Sequence, residues 1–213
     1  MEASRLQLVR SLARTCSIDA DCLNVELSCG RRVTAQNVVL AIGASDQPRY
    51  PDWAPKTDPR INHVFDPAFD GWPTEAQTVA LFGGGISAAQ IAIRLTKEGH
   101  RVHLISRHAL RKHQFDSEPG WLGPKFMKGF GRVTDYDRRR AIIADARHTG
   151  SVPPDVFRAL RRAIACDQLD WHEAEVEHFD AQSDGITVRL NTGECFEPQQ
   201  VLLATGFTTC RPG

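Results

Sequence analysis

A run of three glycines between a predicted strand and a predicted helix constrains the fold more than any other feature of this sequence. Apolar residues 78–82 predict a strand that leads directly into glycines 83–85. Residues 86–98 then follow a helical pattern, which Gly99 ends as the residue past the helix terminus. Because residues 101–106 alternate as a second strand, this order of elements predicts a parallel α/β unit.

The spacing of these glycines predicts a dinucleotide site. In the pattern GxGxxG/A, Gly83 makes the tight turn, Gly85 lets a pyrophosphate approach the backbone, and Ala88 lets the helix pack on the strand. The free N–H groups and the positive dipole end at the start of the helix then bind phosphate. The candidate cofactor-binding residues, which include the ends of other predicted strands, are Gly83, Gly84, Gly85, Ile86, Ser87, Ala88, Ser106, Arg107, Arg111, Thr205, Gly206 and Gly43.

The end of the second strand indicates which dinucleotide is bound. An Asp or Glu there would hydrogen-bond the ribose 2′-hydroxyl of NAD and repel the 2′-phosphate of NADP. This chain has Ser106 and Arg107 instead, and Arg107 lies 22 residues after Gly85. Since a guanidinium holds phosphate through two parallel hydrogen bonds, we predict NADP(H) rather than NAD(H). The alternative interpretation is that Arg107 is a solvated surface charge.

An internal repeat organises the rest of the chain. Residues 25–43 align without a gap onto residues 188–206, with the same amino acid at eight of the 19 positions. Each copy predicts a short strand, a turn that ends in Gly30 or Gly193, and a return strand. Glycine suits the end of such a turn because it adopts a positive φ without steric cost. The sequence therefore predicts two similar β-hairpins, far apart in the chain.

Each copy of the repeat ends in an apolar segment. Residues 37–42 and 200–205 are nearly continuous apolar runs, which are typical of parallel strands covered on both faces. Glycine follows each run, at Gly43 and Gly206, where the backbone can pass close to a bulky group. We therefore predict that both runs are buried strands.

Proline marks the connection between the two halves. Residues 45–77 hold six of the twelve prolines and few periodic apolar positions, which indicates an ordered, extended crossover. We predict three parts: a β-rich segment over residues 1–44, this crossover, and a nucleotide-binding domain over residues 78–213.

Charge is balanced over the whole chain but segregated along it. The 26 Lys and Arg residues equal the 26 Asp and Glu residues, and the apolar and charged fractions of 41% and 24% are ordinary for a globular protein. Residues 101–162 carry 14 basic and 6 acidic groups, a surplus of +8, whereas residues 163–213 carry 2 and 9, a surplus of −7. This composition excludes a disordered charged tail and a disulfide miniprotein.

Arginine is concentrated around two predicted helices, at residues 135–148 and 155–166. Eight arginines lie between Arg132 and Arg162. Three interpretations stay open: a solvated helix face, a surface that attracts a polyanionic cofactor or docks a partner domain, and a nucleic-acid site. Because no nucleic-acid-binding motif accompanies the arginines and the net charge is zero, we expect no nucleic-acid partner.

Several classes of site have no signature in the sequence. No apolar run approaches the roughly 18 residues that span a bilayer, and arginines interrupt the first 14 residues, so we expect a cytoplasmic protein without a membrane partner. The six cysteines match no zinc or disulfide pattern. We interpret His172 and His178 as exposed strand residues rather than a metal site. No local signature of a catalytic nucleophile is present, so we assign no catalytic residue.

The segment GGGISAAQIA at residues 83–92, taken with the two Ala-x-Gly strand ends, resembles the central part of flavoproteins with two dinucleotide-binding domains. The chain is most similar to the FAD- and NADPH-dependent monooxygenases that N-hydroxylate lysine or ornithine, and to related flavin monooxygenases. The resemblance implies an FAD domain interrupted by an NADPH domain. It assigns residues 1–44 to the end of the first FAD segment and residues 78–206 to the NADPH domain. The glycine turn and Arg107 match the family's pyrophosphate and 2′-phosphate positions.

Departures from the family's pattern bear on whether this chain binds FAD by itself. The second copy of the repeat ends 123 residues after Gly83, whereas only 42 residues precede Gly43, too few to include a glycine turn for the first copy. We therefore expect FAD in full-length relatives and leave its binding to this chain open. The absence of a CxxC pair argues against the disulfide-reductase branch.

The fold predicted from these features is α/β: a three-layer Rossmann-like parallel sheet with a β-hairpin or meander insertion, preceded by a β-rich remnant of an FAD domain. The resemblance implies the NADP(H)-binding part of a flavin-dependent oxidoreductase, similar to the N-hydroxylating monooxygenases, in which NADPH reduces FAD in the complete protein. The alternative is a nucleotide-binding or partner-binding module without turnover. The expected partners are the dinucleotide and either the missing FAD-domain segments or a second copy of the chain.

Overall fold

Two units make up the chain, residues 1–43 and residues 44–213. The structure is a computed structural model, which describes residues 7–41 and 47–208. Within these ranges no helix is both long and apolar enough to cross a membrane.

Three antiparallel strands form a meander in the first unit. They are β1 (Ala13–Asp19), β2 (Cys22–Leu27) and β3 (Arg32–Ala35), in the order β1-β2-β3. In the turn between β2 and β3, Gly30 has a φ of +81° and its N–H donates to the carbonyl of Leu27 at 2.9 Å. The predicted hairpin and its glycine turn are therefore confirmed.

The apolar segment after β3 is not a strand, and the prediction for residues 37–42 is wrong over its described part. Residues 37–41 pair with no strand in the ranges that the structure describes. Val39 is 88% exposed and Leu40 is 74% exposed. An extended segment becomes a strand only where a neighbour satisfies its N–H and C=O groups, and no described strand lies beside this one. Gly43, a predicted cofactor contact, lies outside the described residues.

The second unit is built on a sheet of five parallel strands, in the order β4-β13-β5-β6-β9. In chain order the elements of this unit are β4 (Ile61–His63), β5 (Thr78–Phe82), α1 (Ile86–Lys97), β6 (Arg101–Ser106), β7 (Arg111–Lys112), a 3₁₀ turn (Pro119–Leu122), α2 (Pro124–Phe130), α3 (Tyr136–Ala146), β8 (Ser151–Val152), α4 (Pro154–Ala165), β9 (Leu169–Glu173), β10 (Val176–Ala181), β11 (Ile186–Leu190), β12 (Cys195–Phe196) and β13 (Gln200–Leu203). The strand that comes last in the sequence is thus inserted between the first two. The second apolar run is therefore a buried strand, as predicted.

Layers on both faces of the sheet bury its side chains. On one face, Leu81 and Leu202 are fully buried and belong to the core cluster formed with α1 and α4. On the other face, Phe82 and Leu203 are buried in a cluster with Val188 of the antiparallel meander β10-β11-β12. Adjacent residues of one strand point to opposite faces, which explains this division. The predicted three-layer α/β fold with a meander insertion is confirmed.

The sequence does not predict β4, which lies in the proline-rich crossover. Its three residues pair in parallel with β13, and Ile61 and His63 are buried. Only Ile61 among the three is a strongly apolar residue, so no periodic pattern announces the strand. The crossover therefore contributes an edge strand to the sheet as well as connecting the two halves.

The arginine-rich helices lie close to their predicted positions. Before α3, the side chain of Asp135 accepts a hydrogen bond from the N–H of Arg138 at 2.6 Å, which satisfies a free donor of the first turn. Within α2 and α3 no residue is buried, whereas α4 buries Leu160 and Ala163. The first arginine-rich helix was predicted over residues 135–148, but α3 ends at Ala146, and Gly150 lies in the approach to β8.

Candidate nucleotide-binding site

Gly83 lies at the carboxyl end of β5, where the backbone of β13 passes very close. A Cβ atom at this position would lie 2.6 Å from the carbonyl oxygen of Ala204 and 3.0 Å from the Cβ of Ala88. Gly83 also has a φ of +154°, and its N–H donates to the carbonyl of Ile105 at 2.9 Å. No other residue fits this position, because the turn, the sheet and α1 meet there. Open parallel sheets bind their ligands at the carboxyl ends of adjacent strands whose connections run in opposite directions, and β5 and β13 are such a pair.

The start of α1 has the features of an anion site. Gly85 is the residue that precedes the helix, no side chain caps the first turn, and the first turn contains no acidic residue. Ile86 is 40% exposed, Ser87 is half-buried, and Ala88 is buried against the sheet. The first N–H groups of a helix lack intrahelical partners, and the helix dipole places partial positive charge there. This end of α1 therefore favours a negatively charged ligand.

Ser106 and Arg107, at the end of β6, have different surroundings. Ser106 is buried, and its hydroxyl donates to the carbonyl of His108 at 2.9 Å and accepts from the indole N–H of Trp171 at 2.9 Å. That hydroxyl is thus engaged in holding the loop after β6. Arg107 is exposed, and within the described ranges its side chain has no hydrogen-bond or ion-pair partner. Its guanidinium is therefore available to a ligand from solvent.

Arg111 belongs to a short ribbon beside the glycine turn. The ribbon consists of β7 and β8, which pair in parallel, and Arg111 also donates from Nη1 to the carbonyl of Thr149 at 3.1 Å. Val152 anchors β8 in the core with no exposed surface. The loop from Arg107 to Arg111 and residues 148–152 therefore lie together next to the start of α1.

Thr205 and Gly206 follow the carboxyl end of β13, on the same edge of the sheet as the glycine turn. The carbonyl of Gly206, whose φ is +77°, accepts from the N–H of Arg49 at 2.9 Å. The hydroxyl of Thr205 donates to the carbonyl of Arg49. The sequence could not show that these residues bind the crossover segment, because the contact joins positions more than 150 residues apart.

His63 lies on the same edge, and no sequence pattern predicts a role for it. It ends β4, pairs with Leu203, and is fully buried. Its Nδ1 accepts from the N–H of Phe65 at 3.3 Å, whereas its Nε2 has no hydrogen-bond partner in the described part of the chain. Burial lowers the pKa of His63, so the imidazole is held in its neutral form. A lone histidine in a proline-rich segment gives no signal by which this could be predicted.

His172 does not match its interpretation as an exposed residue. Its side chain is 10% exposed, and its Nδ1 donates to Glu194 at 3.0 Å. Its Nε2 then accepts from Nδ1 of His103 at 3.1 Å, and the ring of Phe196 stacks on His103 at a centroid distance of 4.3 Å. The histidine faces the meander layer, which buries it. His178 is exposed as expected, and no group of three metal-ligating side chains exists among residues 7–41 and 47–208.

Comparison with protein families gives one match. The model of the pyridine nucleotide-disulphide oxidoreductase family matches residues 14–135, more than half of the chain. That range includes all but the first residue of the first meander, together with the crossover, the glycine turn and Arg107. None of the curated protein sequences matches this chain.

Solved structures share the fold. The reduced form of ornithine hydroxylase from Pseudomonas aeruginosa has a TM-score of 0.66 at 22% identity, with 93% of this chain and 53% of that chain covered. For L-lysine 6-monooxygenase from Pseudomonas syringae, the TM-score is 0.71 at 19% identity, with coverages of 94% and 53%. For the flavin-containing monooxygenase from Stenotrophomonas maltophilia, the TM-score is 0.59 at 19% identity, with 94% of this chain and 51% of that chain covered. This chain therefore spans about half the length of the structures it resembles, and the resemblance predicted from its sequence is confirmed in family and fold.

Proposed function

This chain belongs to the pyridine nucleotide-disulphide oxidoreductase family, and from that premise we propose that it is the NADP(H)-binding part of a flavin-dependent oxidoreductase. The observation that carries the proposal is the geometry at Gly83. Only glycine fits where β5, β13 and α1 meet, and the start of α1, which no side chain caps, lies directly beyond it. The turn would hold the pyrophosphate through backbone N–H groups, without a positively charged side chain at that point.

The choice of NADP(H) over NAD(H) rests on the end of β6. Arg107 is exposed and unpaired in the described part of the chain, and Arg111 follows on the same loop. No carboxylate stands at the position that would accept from a ribose 2′-hydroxyl and repel a 2′-phosphate. Arg107 would form charge-assisted hydrogen bonds with the 2′-phosphate, and the basic surplus of residues 101–162 would attract the dinucleotide.

In this proposal FAD is a cofactor of the complete protein. In the described part of the chain α1 alone follows a glycine-rich turn, and the first unit contributes only a β-meander. The residues present thus fit NADP(H) and do not themselves form a second dinucleotide cradle. When FAD is bound, it supplies the redox and oxygen chemistry, and this chain's share is to bind and orient NADPH toward it. Similarity in fold to ornithine hydroxylase and L-lysine 6-monooxygenase supports N-hydroxylation of an amine as the reaction. We place this activity in the cytoplasm.

A second candidate function is a binding module without turnover. It is favoured by the exposure of Val39 and Leu40, which leaves the apolar end of the first repeat without a sheet. In that case the chain holds NADP(H), and its first unit docks onto FAD-domain segments or onto a second copy. Purified protein that carries bound FAD and oxidises NADPH supports the oxidoreductase. Colourless protein that binds NADPH without oxidising it supports the module.

The test of NADP(H) binding is the Arg107→Ala variant. We expect the dissociation constant for NADPH to rise about 10- to 100-fold, because charge-assisted hydrogen bonds to the 2′-phosphate are lost. The dissociation constant for NADH should change less than about two-fold, since NADH lacks that phosphate. Titration calorimetry of both cofactors measures the difference. Arg158→Ala on the exposed face of α4 is the matched control, and an unchanged NADPH affinity in Arg107→Ala contradicts the assignment.

A further inference from the structure

The dinucleotide pattern does not require glycine at position 84, yet a side chain does not fit there. The pattern GxGxxG needs its first and second glycines, which are Gly83 and Gly85, and leaves the residue between them free. A Cβ atom at Gly84 would nevertheless lie 2.8 Å from Cε1 and 3.2 Å from Nε2 of His108, and 3.2 Å from the Cβ of Ser106. The imidazole of His108 therefore lies directly on the glycine turn.

Gly150 makes the matching contact on the other side of the same ring. A Cβ atom at Gly150 would lie 2.8 Å from both Cε1 and Nε2 of His108 and 3.7 Å from the carbonyl oxygen of Gly84. Gly150 has a φ of +75°, and its Cα lies 3.6 Å from a Cβ built on Gly85. The edge of the imidazole thus fills the gap between two glycines that come from segments 66 residues apart in the sequence.

The position of the ring is fixed by local hydrogen bonds. Nδ1 of His108 bonds to the carbonyl of Ala109 at 2.9 Å, and because a carbonyl only accepts, Nδ1 carries the hydrogen. The hydroxyl of Ser106 donates to the carbonyl of His108 and holds its backbone. The Cε1–Nε2 edge of the ring, which adjoins Nδ1, is the edge that enters the gap, and within the described ranges Nε2 has no hydrogen-bond partner.

The far wall of the gap is anchored independently of the ring. Residues 148–152, which we call the strap, are held by the pairing of β8 with β7 and by the fully buried Val152. Arg111 also donates to the carbonyl of Thr149 on the strap. Loss of the His108 ring would therefore open the gap while the strap keeps these other attachments.

We propose that His108 is a gate on the nucleotide site, and that the position of its ring between Gly84 and Gly150 is the closed one. This proposal rests on the proposed function, since it concerns the phosphates of the same dinucleotide. A pyrophosphate that approaches Gly84 and Gly85 reaches the backbone only when the imidazole leaves the gap. Closure lowers the fraction of molecules that can bind, and the apparent dissociation constant rises by the same factor. The ring also explains why glycine stands at positions 84 and 150.

The gate predicts that removal of a side chain strengthens binding. His108→Ala should bind NADPH about five-fold more tightly than the unmodified chain, since closure is stabilised by roughly one neutral hydrogen bond and the packing of the ring. A role as a phosphate ligand or as a support for the loop predicts the opposite sign. Titration calorimetry of the full 213-residue chain with NADPH measures the change.

His113→Ala is the matched control. His113 is exposed on the same loop and stacks on His148 of the strap at a centroid distance of 4.2 Å, away from the glycine turn. Its loss should leave the NADPH affinity unchanged. Tighter binding in both variants would mean that a looser strap, not the His108 ring, controls access, and the gate is then overturned.

The remaining outcomes separate the two proposals. If the unmodified chain binds NADPH through Arg107 and His108→Ala binds it equally or more weakly, the gate is overturned and the proposed function stands. If His108→Ala binds NADPH more tightly than both the unmodified chain and His113→Ala, the gate and the proposed function are both supported. If the unmodified chain, His108→Ala and His113→Ala all fail to bind NADPH and NADH, the proposed function is overturned and the gate with it.

Discussion

The two copies of the internal repeat share a sequence pattern but end in different structures. Each has an antiparallel hairpin whose turn contains a glycine with positive φ, +81° at Gly30 and +92° at Gly193. After the hairpin the copies diverge. Leu203 in the second copy is fully buried, and the aligned Leu40 in the first copy is 74% exposed.

The neighbours of each segment account for the difference. β13 pairs with β4 on one side and β5 on the other, so Leu203 lies between His63 and Phe82 in the sheet. Residues 37–41 have no paired strand in the described part of the chain. A local pattern settles the conformation of a tight turn, but a buried strand depends on the strands that flank it. The first repeat thus has the sequence of a central strand without the sheet that such a strand occupies.

The largest expected effect separates the two aligned leucines. Leu203→Ala should lower the free energy of unfolding of the second unit by about 2–5 kcal/mol, because it leaves a cavity between the sheet and the meander. Leu40→Ala should change stability by less than about 0.5 kcal/mol, since the side chain is already exposed. Urea unfolding followed by far-ultraviolet circular dichroism, which reports on the strands of both units, measures both variants in the 213-residue chain. Equal losses in the two variants would mean that residues 37–41 are packed like β13.

The turns should behave alike where the strands do not. Gly30→Ala and Gly193→Ala should each cost about 1–2 kcal/mol, because an L-residue with a side chain is strained at these φ values. No atom lies within 4 Å of a Cβ built at either position, so the cost arises from the backbone alone. Thermal unfolding of both variants tests this, with Gly185→Ala as a control that has open space and no positive φ. A cost confined to one copy would show that the turns are not equivalent.

The smallest effect concerns the histidine that the second meander covers. Burial lowers the pKa of His103, and the nearby charges of His172 and Arg101 act in the same direction, whereas Asp170 and Glu194 oppose them. The folded chain therefore binds this proton less tightly than the unfolded chain does. The resulting stability is complete above a pH of about 6.5 and declines as the pH falls below that value.

Denaturant unfolding between pH 7 and pH 5.5 tests the role of His103. His103→Gln should show a weaker loss of stability on acidification than the unmodified chain. Some loss remains, because burial lowers the pKa of His63 as well. His178→Gln, on the exposed surface of β10, is the control. An identical acid response in His103→Gln and the unmodified chain would remove His103 as a cause. The first meander does not cover a histidine in this way. Its residue at the position of Phe196, which stacks on His103, is the exposed Val33.

Local patterns in the sequence predicted the centre of the fold with single-residue accuracy. β5 and β6 have the predicted bounds, and α1 ends within one residue of its prediction, because the apolar period and the glycines at 83–85 and Gly99 act over a few residues. β4 and residues 37–41 could not be predicted in this way. Both depend on whether a partner strand lies beside them, and that is decided elsewhere in the chain.

The features of the candidate site also fall into two groups, those set by the local sequence and those set by contacts between distant segments. The local reason for Gly83 was available from the motif, and so was the exposed position of Arg107. The hydrogen bonds that occupy Ser106 and Thr205, and the contact between His108 and Gly150, join distant segments. No periodicity or spacing reports such contacts, because each is created by the fold that brings the segments together.

The place of β13 in the middle of the parallel sheet sets the order in which this protein can be completed during synthesis. Thr78 and Gln199, which hydrogen-bond at the starts of β5 and β13, lie 121 residues apart. When β4 and β5 have left the ribosome, the N–H and C=O groups along their facing edges stay unpaired until the much later β13 is made. Such a high contact order predicts slow folding, with the newly made first half as a target for chaperones.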